Sequence, residues 1–428
     1  MAARRRTTEA GSANVQTAPA VIASARVGGL SQSLRDRIAT INEKIAPNLV
    51  TRASNMPAAN FSPFGILPLD MALCGGLAEG FAAMLYGFDS SAKTYLALRA
   101  AVGYQRKHPE KIVIFCDAEK LFDPLWAERV GVDLERMLVV TPDTGEQAID
   151  AVIPLLGDID VGLAIIDSVP ACVSKDMAER SAEDKTMGKL AALMGILCSK
   201  IIVSWGEERR RGHFVSVILL NQWRMKVGFV LGDPRTLPGG RQINHLPTTK
   251  IGLAKAYIAD DENKEAGKKK KSKSTIKQSA EISFKIEKRK HGAGIDAGAF
   301  TIITAGNHES GLPPGSVDDA PSVIVYAIKF GLVAGRYKIP HFTEEEFAKK
   351  EDMVSWARKS GRAVTLLRAT LIAASRAANG LPAFPPDDSL EGVDNISLHV
   401  PEDALAIAIQ GATNSLLSFD GSSDEDAS

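Results

Sequence analysis

Five apolar runs punctuate the middle of the chain: FAAMLYGF (81–88), KIVIFCD (111–117), RMLVVTP (136–142), VGLAIIDS (161–168) and FVSVILLNQ (214–222). Each is short and nearly unbroken, so each reads as a strand buried on both faces. The stretches between them, such as AKTYLALRAAVGYQRK and GEQAIDAVIPLLG, repeat their apolar positions at helical spacing. Strand–helix–strand alternation predicts an α/β fold with a mainly parallel central sheet, helices on both faces. After residue 248 the pattern shortens: TKIGLAKAYI, AEISFKIEKRK and GAFTIITA predict an antiparallel extension. Upstream, residues 31–46 place Leu34, Ile38, Ile41 and Ile45 on one stripe, with Leu30 just before them, and predict a single amphipathic helix. A Pro/Asn-rich linker follows to about residue 60. Residues 317–380 read as helical, with AVTLLRATLIAASRAANG ended by Gly380 and Pro382. The organisation expected is a disordered arm (1–30), a helix and linker (31–60), a core (61–316), a small C-terminal helical domain (317–405) and a flexible acidic tail (406–428).

Composition changes this picture little. The 428 residues are 45% hydrophobic and 24% charged, as for an ordinary globular protein, and no unbroken apolar run has the length of a membrane helix, so no membrane partner is expected. Lys plus Arg and Asp plus Glu both number 51, which argues against attraction of nucleic acid by the whole surface and leaves local patches open. The charge is segregated: residues 264–277 hold seven lysines, and Asp420, Asp424, Glu425 and Asp426 close the chain. Each run reads either as solvated chain or as a phosphate-touching loop and an acidic tail that competes with it. Cys74, Cys116, Cys172 and Cys198 lie in apolar surroundings without metal-ligand spacing, which fits reduced core thiols of a cytoplasmic protein. The basic N-terminus reads as a mobile arm or as a transit peptide.

The stretch GFDSSAKTY departs by one residue from the phosphate-binding loop G-x-x-x-x-G-K-[ST], with Ala92 where glycine is expected. It follows a strand and opens a helix. Gly87, Phe88, Asp89, Ser90, Ser91 and Ala92 would cradle phosphates with backbone N–H groups at a helix N-terminus, with Tyr95 closing the segment. Lys93 would reach the outer phosphates. The Thr94 hydroxyl and Asp167, at the end of LAIIDS, would hold Mg²⁺. The Ala92 methyl would strain the turn, and weaken binding, if that position needs a positive φ. Glu119 and Asp117 lie just past a strand's carboxyl end, where ligands of open α/β sheets sit. Glu119 is the candidate water-activating base, or else a plain surface carboxylate.

With these residues placed, the chain resembles the RecA family of DNA strand-exchange recombinases. The resemblance rests on LPLDMAL (67–73), FCDAEKLFDP (115–124), TPDTGEQA (141–148), IIDSVPA (165–171), NQWRMKVG (221–228) and GDPRTLPGGRQ (232–242), in family order. It covers about residues 60–310 and implies a RecA-type P-loop ATPase core with ATP and Mg²⁺ as cofactors. By the same resemblance, Glu119 is the catalytic glutamate and Gln222 senses the γ-phosphate. Lys288 and Lys290, in EKRKHGAG, reach the nucleotide of a neighbouring subunit in a helical filament. Trp126 stacks on adenine, with Asp123 nearby. Two loops, about 174–189 and 225–241, would hold single-stranded DNA through Met187, Lys189, Met225, Lys226, Phe229, Arg235, Gly239, Gly240 and Arg241. The second loop reads this way unaided, since it interleaves cations, glycines and wedge-like apolar residues.

Departures from the family are specific. Its arginines on the helix after the first loop align with Ala192 and Ser199, with Lys189 and Lys200 alongside. Its loop-two aromatic aligns with Leu231. The antiparallel part is about ten residues longer, and the lysine cluster lies there, where an extra phosphate contact is expected. The expected function is an ATP-dependent DNA recombinase forming filaments on single-stranded DNA and pairing it with double-stranded DNA. Single-strand-binding protein and mediators are further expected partners. The alternatives are a catalytically weak paralogue acting as a filament mediator, which the altered loops would suit, and a hexameric helicase-type ATPase, which the paired lysines and PDTGEQ disfavour.

Overall fold

The computed structural model describes residues 29–175, 187–225, 232–255, 278–383 and 400–417, apart from positions 293, 307, 336 and 360. The N-terminal arm, Lys226, Phe229, the lysine cluster and the last eleven acidic-tail residues lie outside the described residues.

Residues up to Met56 form one unit. Its helix α1 (Gln32–Lys44) starts at Ser31, whose Oγ accepts from the Leu34 amide at 3.3 Å. Asn42 then exchanges two hydrogen bonds with the Val50 backbone, 2.8 and 3.0 Å, and so fixes the turn after the helix.

The second unit begins at Pro57. A short ribbon of β1 (Phe61–Ser62) and β2 (Leu77–Ala78) flanks α2 (Leu67–Ala72). Then come β3 (Ala82–Gly87), α3 (Lys93–Lys107), β4 (Ile112–Asp117), α4 (Pro124–Val130), β5 (Met137–Val140), α5 (Gly145–Leu156), β6 (Val161–Asp167), α6 (Met187–Arg210) and β7 (Ser216–Gln222). A small hairpin, β8 (Arg224–Met225) with β9 (Arg235–Thr236), precedes α7 (Gly240–His245), β10 (Thr249–Lys255), β11 (Ser279–Arg289) and β12 (Ala297–Ile303). The central sheet runs β12-β11-β10-β3-β7-β6-β4-β5. From β10 to β5 all neighbours are parallel, and β10-β11-β12 is the antiparallel extension.

The two-faced burial expected of these strands follows from their period of two. In β3, Ala83 and Leu85 join the core under α3, whereas Ala82, Met84 and Tyr86 join the core under α5 and α6. A fully buried leucine such as Leu85 contributes about 1.5–3 kcal/mol over leaving it in water. The strand β5, at the rim of the described sheet, departs from the expectation: Leu138 and Val139 are exposed. Helix α6 has the length and composition of a membrane span over Gly188–Arg210. Part of its apolar character is used within the fold, where Met194, Leu197, Ile201 and Trp205 enter the core below the sheet, while Ile196, Ile202 and Val203 are exposed.

Four further helices, α8 (Ala320–Lys329), α9 (Lys350–Arg358), α10 (Arg362–Ala378) and α11 (Glu402–Leu417), enclose a third apolar cluster that also takes in Leu67 and Met71 of α2. Paired carboxylates tie them to the core. Asp319 accepts from the Leu67 amide at 2.9 Å and pairs with Arg368, and Asp318 pairs with Arg358 at 2.7 Å. The stretch 317–380 is less continuous than its pattern predicts, since 331–349 is irregular. Helix α11 also runs past the expected boundary at 405, because Ala408 and Ala412 are buried in the cluster.

Candidate nucleotide site and nucleic-acid interface

The carboxyl ends of β3, β7, β6 and β4, four consecutive strands, carry the candidate site. The phosphate loop leaves β3 and turns into α3 as predicted. Ala92 is the N-cap of α3, with φ 65 and ψ 28, and Ser90 has φ 60. The missing glycine is therefore a left-handed position, and an alanine there is strained by about 1 kcal/mol or more. At the entry, Gly87 has no room for a side chain: a Cβ would come within 2.3 Å of the Leu253 carbonyl and 2.5 Å of Ser91 Oγ.

Lys93 is buried, and its ammonium donates to the Phe88 carbonyl at 2.8 Å and the Gly87 carbonyl at 3.4 Å. Burial lowers its pKa, while Asp89, Asp167 and Glu119 counter that shift. Thr94 Oγ1 donates to Asp167 Oδ2 at 2.7 Å. Burial, with Glu119 and Asp117 nearby, pushes the Asp167 carboxyl up to about 6 against the Thr94 hydrogen bond. A hydroxyl beside a buried carboxylate is a hard-oxygen pair of the kind Mg²⁺ takes. Ser91 Oγ is buried without a partner inside the same loop, as expected of a donor reserved for a ligand. The residues present thus fit a nucleotide polyphosphate with its metal.

The two carboxylates after β4 divide their work. Asp117 accepts from the Leu121 amide at 3.2 Å and the Phe122 amide at 2.8 Å, so it shapes the loop. Glu119 is left to face the site. Its Oε1 accepts from Ser168 Oγ at 2.5 Å and from Gln222 Nε2 at 3.2 Å. The Asp167–Ser168 peptide is cis. Of the expected adenine-side residues, Asp123 caps α4 through the Leu125 and Trp126 amides, at 2.9 and 3.2 Å. Trp126 is half-buried, its ring centroid 6.3 Å from that of Tyr95.

Beyond Gln222 the chain enters the hairpin β8–β9. The Trp223 amide donates to the Gly87 carbonyl at 3.1 Å, which ties this hairpin to the phosphate loop. Trp223 meets Tyr86 edge-on at 5.1 Å, and the Arg235 guanidinium lies over Trp223 at 5.3 Å. Arg235 also pairs with Asp233 at 2.7 Å. Asn221 donates from Nδ2 to the Pro238 carbonyl at 3.0 Å and accepts from the Gln222 amide at 2.9 Å, closing the hairpin's base. Met225 and Arg241 are exposed, and Lys189 is half-buried near the start of α6. Gly239 and Gly240 have φ 94 and 81, and a Cβ on either would press on the core or on Ala191, so their glycine identity is set by packing. Lys200 pairs with Asp150 at 3.3 Å. Of loop one, the side chain of Met187 lies outside the described residues.

Lys288 lies near the end of β11 and Lys290 just beyond it, with β10 between β11 and the strand that carries the phosphate loop of their own chain. Lys288 donates to the His245 carbonyl at 3.0 Å, and burial, Lys290 and Lys250 lower its pKa. The cross-strand partner of Lys288 is Lys250, which pairs with Glu287 at 2.9 Å. Sequence reasoning passed over Ser168, Asn221 and Trp223. Only their immediate neighbourhood to Asp167 and Gln222 could have pointed to them.

A parallel sheet with a phosphate loop, a hydroxyl–carboxylate pair and a glutamate–amide pair at its carboxyl edge defines a P-loop fold with a candidate nucleotide site. Residues 33–295 match the family model described as RecA N-terminal domain, and the chain belongs to the RecA family. Protein RecA of Trichodesmium erythraeum (strain IMS101) is 36% identical over 203 residues, covering 47% of this chain and 54% of that protein. Protein RecA of Arthrospira platensis is 37% identical over 203 residues, with the same coverage of each. Protein RecA of Thermus aquaticus is 34% identical over 228 residues, 53% of this chain and 65% of that protein. The chain thus spans about half the length of the first two relatives and somewhat more of the third.

Proposed function

We propose that this chain is a DNA-dependent ATPase that drives homologous pairing and strand exchange, assembling as a filament on single-stranded DNA in the cytoplasm of a bacterial or phage-infected cell. The observation that carries this reading is the convergence of Lys93, the Thr94–Asp167 pair and the Glu119–Gln222 pair on adjacent strand ends.

The loop 87–92 and Lys93 bind and orient the polyphosphate, and Thr94 with Asp167 holds Mg²⁺. The metal, when bound, neutralises charge that develops on the phosphate oxygens. Glu119, held on one oxygen by two donors, keeps the other free to accept a proton from the attacking water. Gln222 swings between Glu119 and the outer phosphate, and its movement pulls on the hairpin through Asn221 and Trp223. Lys288 and Lys290, out of reach of the loop on their own strand's side of the sheet, serve the nucleotide of an adjacent protomer. Met225, Lys226, Phe229, Arg241 and Lys189 contact single-stranded DNA, and duplex is sampled by base pairing. Arg235 positions Trp223 as well as phosphate.

Ala92 favours a second reading, a filament mediator that binds ATP and hydrolyses it poorly, because an alanine stands at a left-handed position suited to glycine. The deciding experiment is ATP hydrolysis with and without single-stranded DNA, alongside Lys93→Ala. DNA-dependent turnover that is lost in the variant supports the recombinase. Nucleotide binding and filaments without turnover support the mediator. No nucleotide binding rejects both.

A further inference from the structure

We propose that Ser168 is a positioning residue for Glu119, and that with Gln222 it makes one carboxylate oxygen the meeting point of the two candidate DNA loops. This rests on the ATPase reading above and adds a second, independent input to it.

Ser168 is 1% exposed, so its hydroxyl cannot be satisfied by bulk water. It spends its proton on Glu119 Oε1 at 2.5 Å, the oxygen that also accepts from Gln222 Nε2 at 3.2 Å. Two donors saturate the two lone pairs of one carboxylate oxygen and fix the plane of the group. The other oxygen then points in a single direction. A glutamate side chain has three rotatable bonds, and neither donor alone would hold it.

Each donor sits at the root of a different loop. Gln222 ends β7 and is followed directly by the hairpin stem Arg224–Met225. Ser168 follows Asp167 of β6, and its carbonyl accepts from the Ala171 amide at 3.0 Å and from Cys172 Sγ at 3.6 Å. The 3₁₀ turn Val169–Ala171, with Cys172 and Val173 after it, is the whole connection between Ser168 and the start of loop one at Ser174. The far end of the turn is anchored as well, because the Gly145 amide donates to the Val173 carbonyl at 2.7 Å. A pull on loop one therefore reaches Ser168 through five residues, Val169 to Val173, which are held by the hydrogen bonds just given. A pull on loop two reaches Gln222 with even fewer. Glu119 takes its working orientation only while both roots are in register, so turnover responds to occupancy of both loops and not of one.

The test uses the full chain and four proteins: wild type, Ser168→Ala, Ser168→Cys and Ser168→Ala/Gln222→Ala. Steady-state ATP hydrolysis is measured with and without an oligodeoxythymidine, and nucleotide affinity with a fluorescent ATP analogue. Ser168→Ala is expected to lower DNA-stimulated kcat by between about ten- and a hundredfold, as a small misplacement of a reacting group does. Its KM for ATP and its affinity for the analogue stay within about twofold, since the Ser168 hydroxyl is given to Glu119 and the Thr94–Asp167 pair is kept. Ser168→Cys fills the same space with a weaker donor and falls between wild type and Ser168→Ala. The double variant loses little more than the worse single variant, because both donors serve one oxygen. An unchanged kcat in Ser168→Ala, equal losses in kcat and nucleotide affinity, or additive losses in the double variant would each overturn the proposal. Absence of DNA-stimulated turnover in the wild type would instead reject the ATPase reading on which it rests.

Discussion

Gln222 and Glu119, 103 residues apart in sequence, meet at 3.2 Å between the end of β7 and the loop after β4. The contact places an amide whose backbone leads into one candidate DNA loop against the candidate base. Glu119→Gln keeps the shape and removes the basic oxygen. We expect nucleotide binding to persist within a few-fold and hydrolysis to fall by about 10² to 10⁴. Single-turnover hydrolysis beside equilibrium binding checks this, and comparable losses in both would remove Glu119 from the chemistry.

Ala92 already has φ 65 in the folded chain, so its strain is borne when the protein folds and not when a nucleotide arrives. Ala92→Gly should stabilise the fold by about 1 kcal/mol, less whatever freedom glycine adds to the unfolded chain. Nucleotide affinity should change by no more than about twofold. Urea unfolding and calorimetric binding separate the two. A large gain in affinity with no gain in stability would mean that the loop changes conformation on binding.

Trp223 links the hairpin to β3 through Tyr86 and carries Arg235 on its other side. Trp223→Leu keeps an apolar side chain and removes both ring contacts, worth about 0.5–1.5 kcal/mol for the aromatic pair. We expect the enhancement of single-strand affinity by ATP to shrink, with nucleotide affinity itself retained. Fluorescence anisotropy of a labelled oligonucleotide, with and without nucleotide, reads this directly, and an undiminished enhancement would refute it.

Glu79 supplies a stability term with a definite pH window. Burial alone would raise its pKa, but the His108 hydrogen bond, the Lys107 and His108 charges and the Ser62 hydroxyl together bring it down from 4.5 to about 2. Lys107 lies at 2.9 Å, His108 at 3.1 Å and Ser62 Oγ at 2.5 Å, all on the same oxygen. The folded carboxyl thus holds its proton less tightly than the unfolded one. Its contribution is full above about pH 4.5 and is lost as pH falls toward 2, a difference of about 3 kcal/mol. Glu79→Gln should cost roughly that much at pH 6 and much less near pH 2.5, by denaturant unfolding. A pH-independent cost would show that packing, not charge, is what the variant disturbs.

The strands and the phosphate loop were legible because buried parallel strands are nearly uninterrupted apolar runs, and a polyphosphate cradle needs a fixed spacing. Gly87, Lys93, Thr94 and Asp167 lie where that spacing puts them. The left-handed state of Ala92 could be stated from sequence only as a condition, since alanine by itself does not favour it. The roles of Asp117 and Glu119 could not be separated in sequence, because both follow the same strand; two backbone amides claim Asp117 and leave Glu119 for the site. Ser168 was invisible for a different reason. Its partner lies 49 residues away in the loop after the neighbouring strand β4, and a lone serine beside an aspartate carries no periodic or spacing signal. Helix α11 was misplaced into the tail because small residues such as Ala408 and Ala412 give weak amphipathic contrast yet pack closely.

The phosphate loop, Glu119, Asp167 and Gln222 lie at the ends of β3, β4, β6 and β7, each of which has a paired strand on either side. Fraying of a sheet begins at its rims, here β5 and β12, the outermost of the described strands. Amide hydrogens at the site should therefore exchange among the slowest in the molecule, through whole-unit opening. The protein would then keep its nucleotide geometry until the unit melts, so thermal inactivation and loss of tertiary structure would coincide.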